Sequence, residues 1–271
     1  MPDREHLPSS LGNRLSLKGR VILVTGGGRG IGMALTKTCL DAGATVLITD
    51  VLPEPDPMLL QWKRTAPEKL LYFRCDLTKK TEVENTFGKI LEKVHQIHGI
   101  VTAAGICVDK PFLDHTWEDV QKLQADTGTF FAVQHAVKNM KQHGIQGTVL
   151  MICSQSWQHV CPGHQLTAYA GSKGFVFSLA RSLAHELASD GIRVNTISPG
   201  YIATDMNLSI AANRPELLKV FHEAPPLGRV GTPEDLQMAS LYLLSDASAY
   251  VTGQDIAVDG GMQVSSGNYK L

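Results

Sequence analysis

A glycine-rich segment directly after a short apolar run constrains the fold of this chain more than any other feature of its sequence. Residues 21–24 read Val-Ile-Leu-Val, and Thr25-Gly-Gly-Gly-Arg-Gly-Ile-Gly32 follows at once. A short apolar run that stops at turn residues is typical of a strand buried on both faces. Residues 31–42 then read as a helix that ends near Gly43. The segment therefore predicts a strand, a tight turn and a helix.

The same alternation continues along the chain. We predict further strands at residues 45–49, 70–74, 99–103, 148–153, 193–197 and 255–258, and further helices at 80–95, 116–142, 167–189 and 233–244. Helices between successive strands supply the long crossovers that parallel strands need. The sequence therefore predicts an α/β fold, a single Rossmann-type doubly wound parallel sheet with helices on both faces. Ligands of such folds bind beyond the carboxyl ends of the strands.

The glycines after the first strand occupy the positions that a phosphate-binding turn requires. Gly26 allows the tight turn, Gly30 lets the backbone approach a pyrophosphate, and Gly32 lets the helix pack on the strand. The helix N-terminus then presents unpaired N–H groups to an anion. We therefore expect the loop, including Arg29 and Ile31, to bind a dinucleotide, although glycines also serve in plain turns.

Asp50 ends the second predicted strand. Its carboxylate is placed to accept hydrogen bonds from the adenosine ribose and would repel a 2′-phosphate, which favours NAD over NADP. Arg29 acts in the opposite direction, because a guanidinium can pair with that phosphate. We give the carboxylate more weight and predict NAD, with NADP possible. Asp76 and Leu77 follow the third strand and could hold the adenine amino group, or Asp76 could instead cap a helix.

Tyr169 and Lys173 are four residues apart on a predicted helix, so both side chains leave the same face. A phenol is a poor base at neutral pH, and a nearby ammonium stabilises the phenolate and lowers the phenol pKa. Such a pair can exchange a proton with a substrate. Lys173 could also donate to the nicotinamide ribose hydroxyls. Tyrosine and lysine at this spacing are common on helices that have no catalytic role. The pair indicates an active site here because a glycine loop that could bind a cofactor precedes it.

Taken together, these motifs resemble those of the classical short-chain dehydrogenase/reductase family over about residues 15–262. The matching segments are Thr25–Gly32, Asp76-Leu77, Ala103-Ala104-Gly105, Tyr169–Lys173, Asn195, Pro199-Gly200 with Thr204, and residues 251–261. The loop after the fifth strand is similar in length to that of the fungal-type polyol and ketose reductases of the family.

The resemblance implies an NAD(P)-dependent oxidoreductase. In such an enzyme Tyr169 is the general acid/base, and Lys173 activates it and binds the nicotinamide ribose. The resemblance further implies that the cofactor is bound by Ala104 and Gly105 and, at the nicotinamide carboxamide, by the stretch containing Pro199, Gly200, Ile202 and Thr204. It also implies a homotetramer or homodimer with residues 251–261 near an interface.

The resemblance also implies a serine that hydrogen-bonds the substrate oxygen, and two candidates are present. Ser156 stands at the family's usual distance before the tyrosine, whereas Ile152-Cys153-Ser154 matches the family's pattern at the end of the strand. We favour Ser154 and leave Ser156 open.

Two positions depart from the family pattern. Thr102 stands where an asparagine usually begins the Asn-Ala-Ala-Gly motif, and it can still cap a strand end. Ala125 replaces an asparagine that, in the family, helps to hold a water in a proton relay. Either Asp126 or Thr127 takes over this role, or the relay is shorter and turnover slower, or the protein is catalytically weak.

The substrate class is less constrained than the reaction. We expect substrate walls from loops at about 106–115, 155–166 and 202–227, and His159 is a candidate for substrate contact. The leading hypothesis is hydride exchange with a secondary alcohol or ketone of the polyol/ketose or secondary-metabolite type. The alternatives are a nucleotide-binding regulator or scaffold with the same fold, and an oxidoreductase acting on C=C bonds or imines.

Composition excludes several other classes of protein. The 25 basic and 26 acidic residues nearly cancel, and no basic run predicts binding to nucleic acid or membrane. The five cysteines form no CxxC pair or zinc-ligand spacing, so no metal is expected. No signal peptide or membrane span is evident, and we expect a cytoplasmic protein. We assign residues 1–18 to an N-terminal tail and 19–271 to one dinucleotide-binding catalytic domain, with a substrate loop at about 202–227.

Overall fold

Seven parallel strands form one sheet in the part of the chain that the computed structural model describes, residues 10–123, 125–161 and 163–264. The side chains of residues 125–127 lie outside this description. The strands are β1 (Val21–Thr25), β2 (Thr45–Asp50), β3 (Leu70–Arg74), β4 (Gly99–Thr102), β5 (Thr148–Ile152), β6 (Arg193–Pro199) and β7 (Asp255–Val258). Their order is β3-β2-β1-β4-β5-β6-β7, with every neighbouring pair parallel. The predicted doubly wound sheet is confirmed.

Helices cover both faces of this sheet. They are α1 (Leu11–Leu15), α2 (Gly30–Asp41), α3 (Pro57–Thr65), α4 (Lys80–Lys93), α5 (Trp117–Leu123), α6 (Ala125–Gln142), α7 (Thr167–Glu186), α8 (Asp205–Asn213), α9 (Leu217–Glu223) and α10 (Gln237–Leu244). Alternate strand residues divide between two cores: Leu23 packs with α4, α6 and α7, whereas Ile22 and Val24 pack with α2 and α10. The central strands β1, β4 and β5 are mostly apolar because both faces of the sheet are covered. Within the described ranges no helix has the length and apolar character needed to cross a membrane.

The structure differs from the sequence-based prediction in several helices. No element was predicted at α3, which begins where the Asp56 carboxylate accepts a hydrogen bond from the Met58 N–H. The single helix predicted over residues 116–142 is divided between α5 and α6, and Gln124 between them lies outside the described residues.

The expected N-terminal tail is packed in its described part. Residues 1–9 lie outside the description, but Leu17 is fully buried and its N–H donates to the Ala42 carbonyl. The sequence pattern gave no sign of this contact, because it joins Leu17 to a residue 25 positions farther along the chain.

The strand order reverses between β1 and β4, and the carboxyl ends of these strands meet at one edge. Thr25 at the end of β1 is in register with Thr49 and Thr102. The Gly26 N–H donates to the Thr49 carbonyl at 2.7 Å, and the Ala103 N–H donates to the Thr25 carbonyl at 3.0 Å. Doubly wound sheets bind their ligands at this switch point.

Glycine at position 26 allows the turn after β1 to pack on the backbone after β4, and glycine at position 32 allows α2 to pack on that turn. Gly26 has a φ of +65°, and a Cβ there would lie 2.5 Å from the Ala104 Cα. A Cβ on Gly32 would overlap the carbonyl oxygen of Gly26. The turn between β1 and α2 therefore depends on the absence of side chains at both positions.

We predict that Gly32→Ala destabilises the protein by about 3 kcal/mol or more, because the new methyl group has no space and the backbone must shift. The matched control is Gly88→Ala in α4, where nothing lies within 4 Å of the added Cβ. This control should be neutral or stabilise the fold by up to about 1 kcal/mol, because alanine favours helix more than glycine does. Chemical denaturation of the purified variants measures both effects, and equal stability of the two variants would contradict the packing described above.

Candidate active site

A cleft of about 120 Å³ lies at the carboxyl ends of β4, β5 and β6. The residues predicted from the sequence that line it are Ile31, Gly105, Ser154, Ser156, Tyr169, Lys173, Pro199, Gly200, Ile202 and Thr204. They come from five separate segments of the chain. The fold thus brings the predicted chemical groups and much of the predicted cofactor site into one cleft.

Tyr169 and Lys173 lie on the first two turns of α7, and both line the cleft. The Lys173 Nζ is 5.7 Å from the centroid of the Tyr169 ring and donates a hydrogen bond to the Ile152 carbonyl at 3.4 Å. The lysine is only 5% exposed. On its other side, a Cβ on Gly105 would lie 3.5 Å from the Nζ. The lysine is therefore held between the end of β5 and the segment after β4, beside the tyrosine.

The two candidate serines form one hydrogen-bonded pair at the end of β5. The Ser156 N–H and the Ser156 Oγ–H both donate to the Ser154 Oγ, at 3.2 Å and 3.0 Å. Ser154 is half-buried, whereas Ser156 is buried. Both hydrogen bonds from Ser156 therefore orient the Ser154 hydroxyl, and the proton of that hydroxyl remains available for donation to a ligand in the cleft.

The N-terminus of α2 has the properties of a phosphate site. Its N-cap residue, Arg29, is exposed and makes no side-chain cap hydrogen bond, so its side chain does not satisfy the first N–H groups of the helix. Gly30, the first residue of α2, has no side chain, and a Cβ there would lie 3.5 Å from the Thr204 methyl group. These residues fit a dinucleotide, because the N–H donors of a helix N-terminus favour an anion and the φ of +54° at Gly30 is one that glycine adopts without strain.

Asp50 lies directly behind the glycine loop. Its Oδ2 accepts a hydrogen bond from the Gly28 N–H at 2.8 Å, and its Oδ1 accepts one from the Leu52 N–H at 3.1 Å. The residue is 5% exposed. Part of the hydrogen-bonding capacity that we assigned to a ribose is therefore used by the protein, and the carboxylate also fixes the loop.

Asp76 and Leu77, after β3, are not among the described residues that line the cleft. The Asp76 Oδ1 accepts hydrogen bonds from the N–H and the Oγ of Thr78, while Lys79 is the N-cap of α4. Asp76 therefore closes a local turn before the helix. Leu77 faces a second groove, between α4 and α6, and a Cβ on Gly128 would overlap its carbonyl oxygen. Their contact with an adenine remains a prediction.

On the substrate side, the structure points to a different histidine from the sequence. His164 lines the cleft, whereas His159 is not among the described residues that do so. The His164 ring forms a hydrogen bond with Asp109, which the sequence analysis did not single out. Trp157 has a structural role, because its Nε1–H donates a hydrogen bond to the Ser198 Oγ and its ring stacks on Phe177.

The thiols near the cleft are protonated at neutral pH; Cys153 and Cys161 are buried and Cys107 is half-buried. Burial raises the pKa of Cys107 to about 12 and the pKa values of Cys153 and Cys161 to about 11. At neutral pH these groups are thiols rather than nucleophilic thiolates. Across the described part of the chain, no group of three or more His, Cys, Asp or Glu side chains is arranged to hold a metal ion. The side chain of Ala125, at the position of the family's relay asparagine, lies outside the described residues.

Comparison with known proteins gives matches along most of the chain. A family model described as Enoyl-(Acyl carrier protein) reductase matches residues 26–263. The 3-oxoacyl-(acyl-carrier-protein) reductase of Chlamydia muridarum is 34% identical over 250 residues, which cover 91% of this chain and 98% of the relative. The sorbose reductase of Candida albicans is 35% identical, over 94% of this chain and 91% of the relative.

A solved structure has the same fold along most of the chain. The gluconate 5-dehydrogenase of Burkholderia cenocepacia, in complex with NADP and tartrate, superposes with a TM-score of 0.87 at 28% identity, covering 94% of this chain and all of that one. From the glycine loop, the tyrosine and lysine in one cleft, and these matches, we conclude that the chain belongs to the short-chain dehydrogenase/reductase family and is an NAD(P)-dependent oxidoreductase.

Proposed function

We propose that the protein interconverts a secondary alcohol and a ketone of the polyol/ketose or secondary-metabolite type, with Tyr169, Lys173 and Ser154 as its catalytic residues. The observation that carries this proposal is the presence of these three side chains in one cleft beside the uncapped N-terminus of α2. The Candida relative is a sorbose reductase, which supports a polyol or ketose. Nothing in the described residues favours the regulator or scaffold alternative.

In the proposed reaction, the Tyr169 hydroxyl exchanges a proton with the substrate oxygen. During reduction it donates the proton to the oxygen of the forming alcohol, and during oxidation it removes that proton. The Lys173 ammonium stabilises the phenolate that remains after donation. The Ser154 hydroxyl donates a hydrogen bond to the same substrate oxygen and stabilises the charge that develops there. A bound nicotinamide cofactor supplies hydride transfer at its C4 position.

The cofactor site in this proposal follows the edge of the sheet. The residues that would hold NAD(P) are Gly26, Arg29, Gly30, Ile31, Gly32, Asp50, Ala104, Gly105, Tyr169, Lys173, Pro199, Gly200, Ile202 and Thr204. Their support is the uncapped helix, the close glycine packing and the shared cleft. The homodimer or homotetramer implied by the family resemblance and the cytoplasmic location remain predictions.

We expect the purified protein to oxidise or reduce members of a panel of sugar alcohols, ketoses, and cyclic and aliphatic ketones in the presence of NADH, NADPH or their oxidised forms. Tyr169→Phe should lower kcat by about 10³-fold, because it removes the proton donor and leaves the ring in place. Absorbance of the reduced cofactor measures turnover. Cofactor binding without turnover of any panel member would contradict the proposal.

The two serines can be distinguished by single alanine variants. We predict that Ser154→Ala lowers kcat by about 10²-fold, because it removes the donor to the substrate oxygen. Ser156→Ala should have a smaller effect, because Ser156 acts only by orienting Ser154. A larger loss of kcat in Ser156→Ala than in Ser154→Ala would reverse the assignment.

We propose NAD as the preferred cofactor, because the buried Asp50 carboxylate lies beside the loop that would bind the adenosine ribose. The Burkholderia protein binds NADP, so the proposal rests on this residue. Asp50→Asn keeps an oxygen that can accept the Gly28 N–H and removes the charge that repels a 2′-phosphate.

The ratio of kcat/KM with NADPH to kcat/KM with NADH should therefore rise about tenfold or more in Asp50→Asn. Arg29→Gln should lower the same ratio, because it removes the guanidinium that pairs with the phosphate. Steady-state kinetics with both cofactors measures the ratios. A wild-type preference for NADPH would refute the choice of NAD.

A further inference from the structure

The three loops expected to form the substrate walls meet at the buried carboxylate of Asp109. Its Oδ2 accepts a hydrogen bond from the His164 Nδ1–H at 2.5 Å. Its Oδ1 accepts hydrogen bonds from the Gln165 N–H at 2.9 Å and from the Arg214 Nη1–H at 3.1 Å. The side chains of Asp109 and His164 are each 3% exposed. One carboxylate thus connects the segment after β4, the loop before α7 and the segment after α8.

The other ring nitrogen of His164 is buried without a hydrogen-bond partner among the described residues. The ring packs against a pair of aromatic side chains, with its centroid 5.5 Å from that of Tyr201 and 5.6 Å from that of Phe221, which lie 4.6 Å from each other. It lines the same cleft as the catalytic tyrosine. A buried polar atom that lacks a partner costs free energy, so this nitrogen favours a ligand that can satisfy it.

The surroundings of His164 determine that Nε2 is an acceptor. Because Nδ1 holds the proton donated to Asp109, the Nε2 of a neutral imidazole carries a lone pair. Burial lowers the pKa of His164 more than the neighbouring carboxylate raises it, which favours the neutral ring. The charge of that carboxylate is already balanced by Arg214. An acceptor of this kind binds a hydroxyl group and offers no positive charge to a carboxylate.

We infer that the His164 Nε2 accepts a hydrogen bond from a second, non-reacting hydroxyl group of the substrate, and that Asp109 positions the ring for this contact. The inference rests on the proposed function, since it assigns one recognition contact within the same cleft. It favours a neutral polyhydroxylated substrate over a simple alcohol. It also assigns the two residues different roles, because Tyr169 exchanges a proton with the reacting oxygen and His164 binds a second hydroxyl group of the substrate.

The test compares substrates that differ by one hydroxyl group. The probes are trans-1,2-cyclohexanediol and cyclohexanol, with gluconate as an anionic probe. His164→Asn can keep an N–H donated to Asp109 and removes the Nε2 atom. We expect the ratio of kcat/KM for the diol to kcat/KM for cyclohexanol to fall about tenfold in this variant. Calorimetric binding of the diol to the enzyme saturated with NADH should weaken by a similar factor.

Two further variants serve as controls. His159→Asn alters a histidine of the same loop that does not line the cleft, and it should leave the ratio unchanged. His164→Phe keeps an aromatic ring packed against Tyr201 and Phe221, and it replaces His164→Asn in the comparison if the asparagine variant does not fold. It too should lower the ratio.

Three results would overturn the inference. The first is that a folded His164 variant has an unchanged ratio of kcat/KM values and unchanged diol binding. The second is that His159→Asn lowers the ratio as much as the His164 variant does, and the third is that the His164 variant loses activity with gluconate alone, which would indicate an anion site. Failure of the proposed function gives a different result. In that case the wild-type protein turns over neither alcohol, and the calorimetric comparison still decides whether His164 binds the hydroxyl.

Discussion

The packing of the first turn against its neighbouring strands is the constraint on which the rest of the cleft depends. Gly26 lies against the backbone of Ala104, and α2 can begin where it does only because Gly32 has no side chain. This places the uncapped N-terminus of α2 at the carboxyl edge of the sheet, with Ile31 in the cleft wall. A side chain at Gly26 would clash with the backbone after β4, and one at Gly32 would push α2 away from the turn after β1. The fold and the binding site thus depend on the same contacts.

The features that could be predicted from the sequence are those encoded locally. Buried parallel strands are mostly apolar, so β1, β2 and β5 were identified close to their observed bounds. Tyr169 and Lys173 are one helical turn apart, so their common face follows from helix geometry alone. Helix α3 was missed because it has only 9 residues and one buried residue, Leu59, so its apolar pattern is short.

The features that could not be predicted depend on how distant loops meet. Asp109 and His164 are 55 positions apart, and Arg214 is 105 positions from Asp109, so no local pattern connects them. The choice between Ser154 and Ser156 has a similar origin. The sequence gives their spacing, but only the short 3₁₀ turn at Gln155–Trp157 shows that they form one hydrogen-bonded pair.

The charges in the cleft divide it into two parts with different tasks. Lys173 is a buried cation beside Tyr169 and serves the proton transfer in the proposed mechanism. In the other part, the charges of Asp109 and Arg214 balance each other, and the His164 ring packs against Tyr201 and Phe221. If His164 binds the substrate as we infer, a change at this residue alters which groups are bound while leaving the charge beside Tyr169 in place. Because the three loops that meet at Asp109 lie outside the strands, the same fold can change its substrate there without disturbing the residues that perform the chemistry.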